Sequence, residues 1–186
     1  LYSSTSAAYG LNTPPNKETD DEDCLNPYSV SKVAGEKLCK MYHDLYGLKT
    51  VIFRYFNVYG ERQPVRGQYA PVVGLFQKQY SEGNPMTVVG DGLQKRDFIH
   101  VSDVVEANII LALSDNSNIF GKMFNIGTEI NYSVLDLTNI IGGDSATVEY
   151  IPTRVGEVRE TLSDCSQIFK YTDWKPKINL KEWIND

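Results

Sequence analysis

Runs of β-branched and aromatic residues alternate with amphipathic stretches along this 186-residue chain. Residues 1–6 (LYSSTS), 49–56 (KTVIFRYF), 86–90 (MTVVG), 96–101 (RDFIHV), 122–127 and 147–152 read as strands. Between them, residues 28–46, 70–82, the segment after Ser102, 134–141 and a short stretch ending near Tyr171 read as helices. Parallel strands need crossovers, and helices usually supply them. The alternation therefore predicts an α/β fold with a parallel component.

Local chemistry sharpens the boundaries. Val30, Val33, Ala34, Leu38 and Met41 form a helical stripe, and Gly47 suits the end of that helix. Ser102, Ser133, and either Ser163 or Asp164 are expected caps, with Asp103 also assigned to capping. Residues 11–27, with Pro14, Pro15, Pro27 and an acidic run from Glu18 to Asp23, read as a solvated loop. Gln94 and Lys95 read as turn surface, Trp174 as a packing residue, and His100 as a structural strand residue.

Composition excludes several classes. A hydrophobic content of 41% and a charged content of 23% suit a globular chain with one sizeable core. The net charge of −6 argues against a nucleic-acid polymer as partner. No apolar run reaches membrane-spanning length. Cys24, Cys39 and Cys165 show no CxxC spacing, which fits reduced thiols and a cytoplasmic setting. His43 and His100 stand far apart, so no zinc site is expected.

The most chemically suggestive spacing is YSVSK. Tyr28 and Lys32 are four residues apart, hence stacked on one helix face. A free phenol keeps its proton at neutral pH, and a neighbouring cation favours the phenolate. With a hydroxyl from the strand end LYSSTSAAYG, the trio suits proton transfer at an alcohol oxygen.

LYSSTSAAYG, NPYSVSK, FRYFNVYGERQP, GDGLQKRDFIHVSDV and MFNIGT occur in that order. Together they resemble the extended short-chain dehydrogenase/reductase family, in particular its nucleotide-sugar epimerases and dehydratases. The resemblance implies the C-terminal part of a Rossmann-like parallel sheet plus a smaller α/β sugar-nucleotide-binding domain. Residues 1–62 would end the first and residues 63–186 form mainly the second, with some segments returning. None of the 14 glycines forms GxGxxG or GxxGxxG. The chain is therefore expected to be truncated and inactive alone, most NAD contacts lying in a preceding region.

By the same resemblance, Thr5, Tyr28 and Lys32 are the catalytic residues. Tyr28, Lys32, Tyr55 and Phe56 would lie against NAD. Thr5, Asn57, Gln68, Tyr69, Val72, Arg96, Arg154 and Glu157 would hold a nucleotide-diphosphate sugar. Arginine's planar fork suits a diphosphate. Family dehydratases and decarboxylases carry Glu where this chain has Ala7. That difference points to an epimerase, most simply at C4. A dehydratase, a 4-keto reductase and a noncatalytic nucleotide-binding module are the alternatives. The resemblance also implies a homodimer through the helix carrying YSVSK and a role in polysaccharide synthesis.

Overall fold

The computed structural model describes residues 1–67, 70–153 and 156–185. Its elements run β1 (Tyr2–Thr5), α1 (Pro27–Tyr46), β2 (Val51–Tyr55), β3 (Asn57–Tyr59), α2 (Val72–Ser81) and β4 (Met86–Val89). Then come β5 (Lys95–His100), α3 (Val101–Ala112), β6 (Lys122–Ile126), β7 (Asn131–Ser133), α4 (Val134–Gly142), β8 (Val148–Ile151), α5 (Ser166–Tyr171) and α6 (Leu180–Asn185). The fold is α/β with parallel sheets. β1, β2 and β6 pair in that order, all parallel, with Thr5 opposite Tyr55 and Tyr55 opposite Ile126. β3 lies parallel to β5, whose other edge takes β7 antiparallel, and β4 pairs parallel with β8.

The period-2 alternation of β2 divides its neighbours. Val51 and Phe53 face a core that includes Leu111 of α3, Phe124, Ile126, Ile168 and Trp174. Arg54 faces α1 and meets Glu36 there. A second core gathers Tyr59, Phe76, Met86, Val88, Leu137 and Leu180. β5 serves both: Phe98 belongs to the second core and Ile99 to the first.

α1 starts on a capping box in which Asn26 and Ser29 bond reciprocally, with Pro27 at its first turn. It ends at Gly47, whose φ of 68° is the left-handed conformation glycine accepts without penalty. Of the expected stripe only Val33 is buried. Ser29, Val33 and Glu36 are buried, whereas Val30, Leu38 and Met41 are exposed. Polar partners select the inward face: Glu36 meets Arg54 and Ser4, and the Tyr2 hydroxyl donates to the Lys32 carbonyl. Gly35 permits this approach, because a Cβ there would stand 2.0 Å from the Tyr2 hydroxyl.

Other boundaries also moved for identifiable reasons. His100 caps α3, its Nδ1 accepting from the Ser102 N–H at 3.2 Å, so Ser102 lies inside the helix. Buried Asp103 accepts from the Ile178 N–H instead of capping. Ser133 does cap α4, through a capping box with Asp136. Ser163 is drawn to Asp97 by a 2.5 Å bond, and Asp164 accepts from the Ser166 N–H. Gln94 is buried and donates to the Val89 carbonyl, while Lys95 begins β5. The acidic run is not wholly solvated either. Glu18 accepts from the Asn125 N–H at 2.8 Å, and burial raises its carboxyl above the ordinary range. Among the described residues, no helix is long and apolar enough to cross a membrane, and no metal-binding cluster occurs.

Candidate active site

β1 and β2 end side by side, and a cleft of about 280 Å³ opens at their carboxyl ends. Ligands of parallel α/β sheets bind in such positions. Thr5, Ala7, Tyr55, Phe56, Asn57, Arg96 and Glu157 all line it. Residues up to about 150 positions apart in sequence thus meet at one opening.

Each is placed by local structure. Thr5 ends β1 and caps the 3-10 turn Ser6–Tyr9, its Oγ1 accepting from the Ala7 N–H at 3.1 Å. Its own O–H has no acceptor among the described residues. Asn57 opens β3 and donates to the Asp97 carbonyl at 2.9 Å. Arg96 lies in β5, where its Nη1 donates to the Lys95 carbonyl at 2.8 Å. Its Nη2 lies 3.5 Å from Glu157 Oε1. Burial lowers the Arg96 pKa, and the Glu157 carboxylate works in the opposite direction.

Tyr28 and Lys32 do not line this cleft. Tyr28 is 55% exposed in the first turn of α1. The Lys32 ammonium lies 5.9 Å from the Tyr28 ring centroid and donates to the Ser3 carbonyl at 2.9 Å. The stacked pair therefore exists, one turn apart, beside the strand that ends in Thr5. Val72 begins α2 and packs against the second core rather than the cleft. Gln68, Tyr69 and Arg154 lie outside the described residues.

The cleft also contains residues that sequence reasoning did not select. Asn16 is buried in the loop after β1, and Thr161 accepts from the Asn57 amide at 3.4 Å. Behind Arg96, buried Asp97 accepts from the N–H groups of Thr128, Glu129 and Ser163 and from two hydroxyls. Burial nevertheless raises its carboxyl above the usual range. Neither Thr161 nor Asp97 carries a local pattern that would mark it, because their partners are distant in sequence.

The profile of the NAD dependent epimerase/dehydratase family matches residues 1–127. The chain belongs to that family. A putative UDP-glucose 4-epimerase of Methanocaldococcus jannaschii is 39% identical over 98% of the chain and 59% of the relative. A UDP-N-acetyl-alpha-D-glucosaminuronate decarboxylase of Bacillus cytotoxicus is also 39% identical, over 100% of the chain and 61% of the relative. The chain thus spans roughly three-fifths of these relatives. Among solved structures, the UDP-glucuronic acid 4-epimerase of Bacillus cereus, in complex with UDP-glucuronic acid and NAD, superposes with a TM-score of 0.89. That structure is 34% identical, and 98% of the chain aligns with 58% of it. NAD and UDP-sugars are therefore ligands within this group.

Proposed function

We propose that this chain is the catalytic and sugar-nucleotide-binding portion of an NAD-dependent nucleotide-sugar 4-epimerase. The observation that carries the reading is the cleft. It joins a free strand-end hydroxyl, an amide, an arginine and a carboxylate, while position 7 offers only a methyl group. The family resemblance implies a carboxylate at that point for elimination or decarboxylation, so Ala7 favours epimerisation.

The residues at hand fit NAD: an exposed phenol and an ammonium stand beside β1, and the Tyr55–Phe56 backbone lies at the carboxyl end of β2. When bound, NAD would supply reversible hydride acceptance from the sugar carbon. Tyr28 removes the proton of the sugar hydroxyl and later returns it. Lys32, whose ammonium lies beside the Tyr28 ring, holds the cofactor ribose. Thr5 donates a hydrogen bond to the same sugar oxygen, and Asn57 steadies the phosphate end of the substrate. Arg96 and Arg154 bind the diphosphate and Glu157 the nucleotide ribose, with Gln68 and Tyr69 on the sugar and base side. A firm hold on the nucleotide and a loose hold on the sugar let the keto-sugar turn over before reduction.

Residues 1–62 would belong with the dinucleotide-binding part and 63–186 mainly with the substrate part. Without a glycine-rich phosphate turn, the 186-residue chain by itself should bind a nucleoside diphosphate but not turn over a nucleotide sugar. Calorimetric titration with UDP, GDP, dTDP and NAD tests this. One diphosphate should bind, and Arg96→Ala should abolish the heat. Turnover of a nucleotide sugar by the chain with added NAD would refute it.

A further inference from the structure

A set of bonds behind the cleft converges on Asn125 of β6, which is fully buried and does not itself line the opening. Its Oδ1 accepts from the Tyr9 hydroxyl at 2.6 Å. Its Nδ2 donates to the Asn16 carbonyl at 2.9 Å and to the Asp164 carbonyl at 3.0 Å. Both amide hydrogens and the amide oxygen are therefore engaged. The backbone N–H of the same residue goes to Glu18 at 2.8 Å.

These partners belong to different parts of the cleft. Tyr9 ends the turn that Thr5 caps, and Asn16 lies in the loop that runs on to Asn26, the cap of α1 just before Tyr28. The loop is folded onto that turn, the Asp23 N–H donating to the Ala8 carbonyl at 2.9 Å. Asp164 ends the segment 156–164, which brings Glu157 and Thr161 to the cleft. Asn16 also meets this segment through its backbone. Its N–H donates to the Leu162 carbonyl at 2.8 Å, and its carbonyl accepts from the Asp164 N–H at 2.9 Å.

We propose that Asn125 is a positioning residue that sets the spacing between the proton-transfer part of the cleft and the part that holds the nucleotide. The proposal rests on the reading of the cleft given above and adds a residue that acts only through Asn16 and Asp164. One planar NH2 group holds two backbone carbonyls from separate segments at a fixed separation. Without it, two carbonyls and the Tyr9 hydroxyl are buried without partners, and each bears the desolvation penalty of a lost bond. The two backbone bonds of Asn16 then stand alone and open. Proton transfer depends on reacting atoms being held within a narrow range of distance, so this spacing matters to the chemistry. With the amide in place, the loop and the segment 156–164 open as one unit. A ligand held by the segment then protects the loop, including positions that it never touches.

The test is amide exchange of the 186-residue chain with and without UDP. It is read at the Thr161 N–H, which donates to the Lys95 carbonyl, and at the Asp23 N–H, which is outside the cleft lining. UDP at about one hundred times its Kd slows any opening that destroys its site about one hundredfold. In wild type both amides should slow by that factor. In Asn125→Ala, with UDP raised in proportion to the variant's own Kd, Thr161 should keep the factor and Asp23 should lose it. Asn125→Asp, which keeps the shape and the acceptor but not the NH2 donors, should do the same and serves if the alanine variant does not fold by circular dichroism. Tyr9→Phe removes the third bond and leaves the two crossing ones, so both amides should keep the factor. A role in stability alone would move the two amides together in every variant. If UDP slows Thr161 but not Asp23 in wild type, or slows both equally in the folded Asn125 variants, the proposal is overturned and the nucleotide site survives. If UDP binds calorimetrically and slows neither amide, the proposal alone is overturned. If UDP does not bind, the reading of the cleft and the proposal fall together.

Discussion

Breaking the buried ion pair between α1 and β2 should be strongly destabilising, whereas replacing the whole pair should not. Arg54 and Glu36 are 1% and 2% exposed. Glu36 accepts from Arg54 Nε at 2.9 Å and Nη2 at 2.7 Å, and it also accepts from the Ser4 hydroxyl. The guanidinium lies 4.6 Å from the Tyr9 ring centroid. Arg54→Met leaves Glu36 charged and buried with one remaining donor. Removing one partner of such a pair costs about 3–5 kcal/mol. Domains of this size have roughly 5–15 kcal/mol in total, so the single variant should lose between about a fifth and all of its stability. Replacing both, as Arg54→Met with Glu36→Leu, removes two desolvation costs together and should fall within about 1–2 kcal/mol of wild type. Urea unfolding followed by far-ultraviolet circular dichroism on the four proteins of the cycle measures this. The coupling should be several kcal/mol. Additive single-variant losses would show that the two charges do not compensate one another, and the account of why α1 turns this face inward would fail.

Two further outcomes follow from the same helix packing and from a cap. Gly35→Ala should destabilise the wild-type chain because its Cβ meets the Tyr2 hydroxyl at 2.0 Å. In a Tyr2→Ala background the sign should reverse, toward the roughly 1 kcal/mol that alanine gains over glycine in a helix, as read by thermal melts. The α4 capping box should weaken in acid. Hydrogen bonds from Ser133 hold the Asp136 carboxyl below its ordinary value. Its contribution is complete above the unfolded pKa of about 3.9 and is lost as pH falls through the lowered folded value. Amide exchange in α4 should therefore accelerate relative to global opening on acidification, and Ser133→Ala should remove that pH dependence.

Much of the fold was legible because its signals are local. β-Branched and aromatic runs marked β2 and β4, and the glycine at 47 and the serine at 133 did at α1 and α4 what their chemistry predicts. The face of α1 was not legible, because a stripe of Val30, Leu38 and Met41 satisfies helical periodicity as well as the buried set does. What decided it was Arg54, a residue from the next strand. The same limit applies at the cleft. Motif order pointed to Thr5, Asn57, Arg96 and Glu157, which the fold brings together. Asn16, Asp97 and Thr161 acquire their places only from partners far along the chain, as in the bond between Asn57 and Thr161.

β5 limits how the cleft can admit a ligand. Its Phe98 and Ile99 are buried in opposite cores, and its Asp97 is bonded to Thr128, Glu129 and Ser163. Swinging the two cores apart about this strand would strip a buried carboxylate of its donors and expose apolar surface on both sides. Such a rigid-body opening is mechanically stiff. The weaker contacts lie at the rim: the largely buried Arg96–Glu157 contact at 3.5 Å and the solvent-exposed Asp91–Arg159 pair. Adjustment of the cleft therefore falls to side chains at its rim, and the exposed Asp91–Arg159 pair is the part of that rim that salt would loosen.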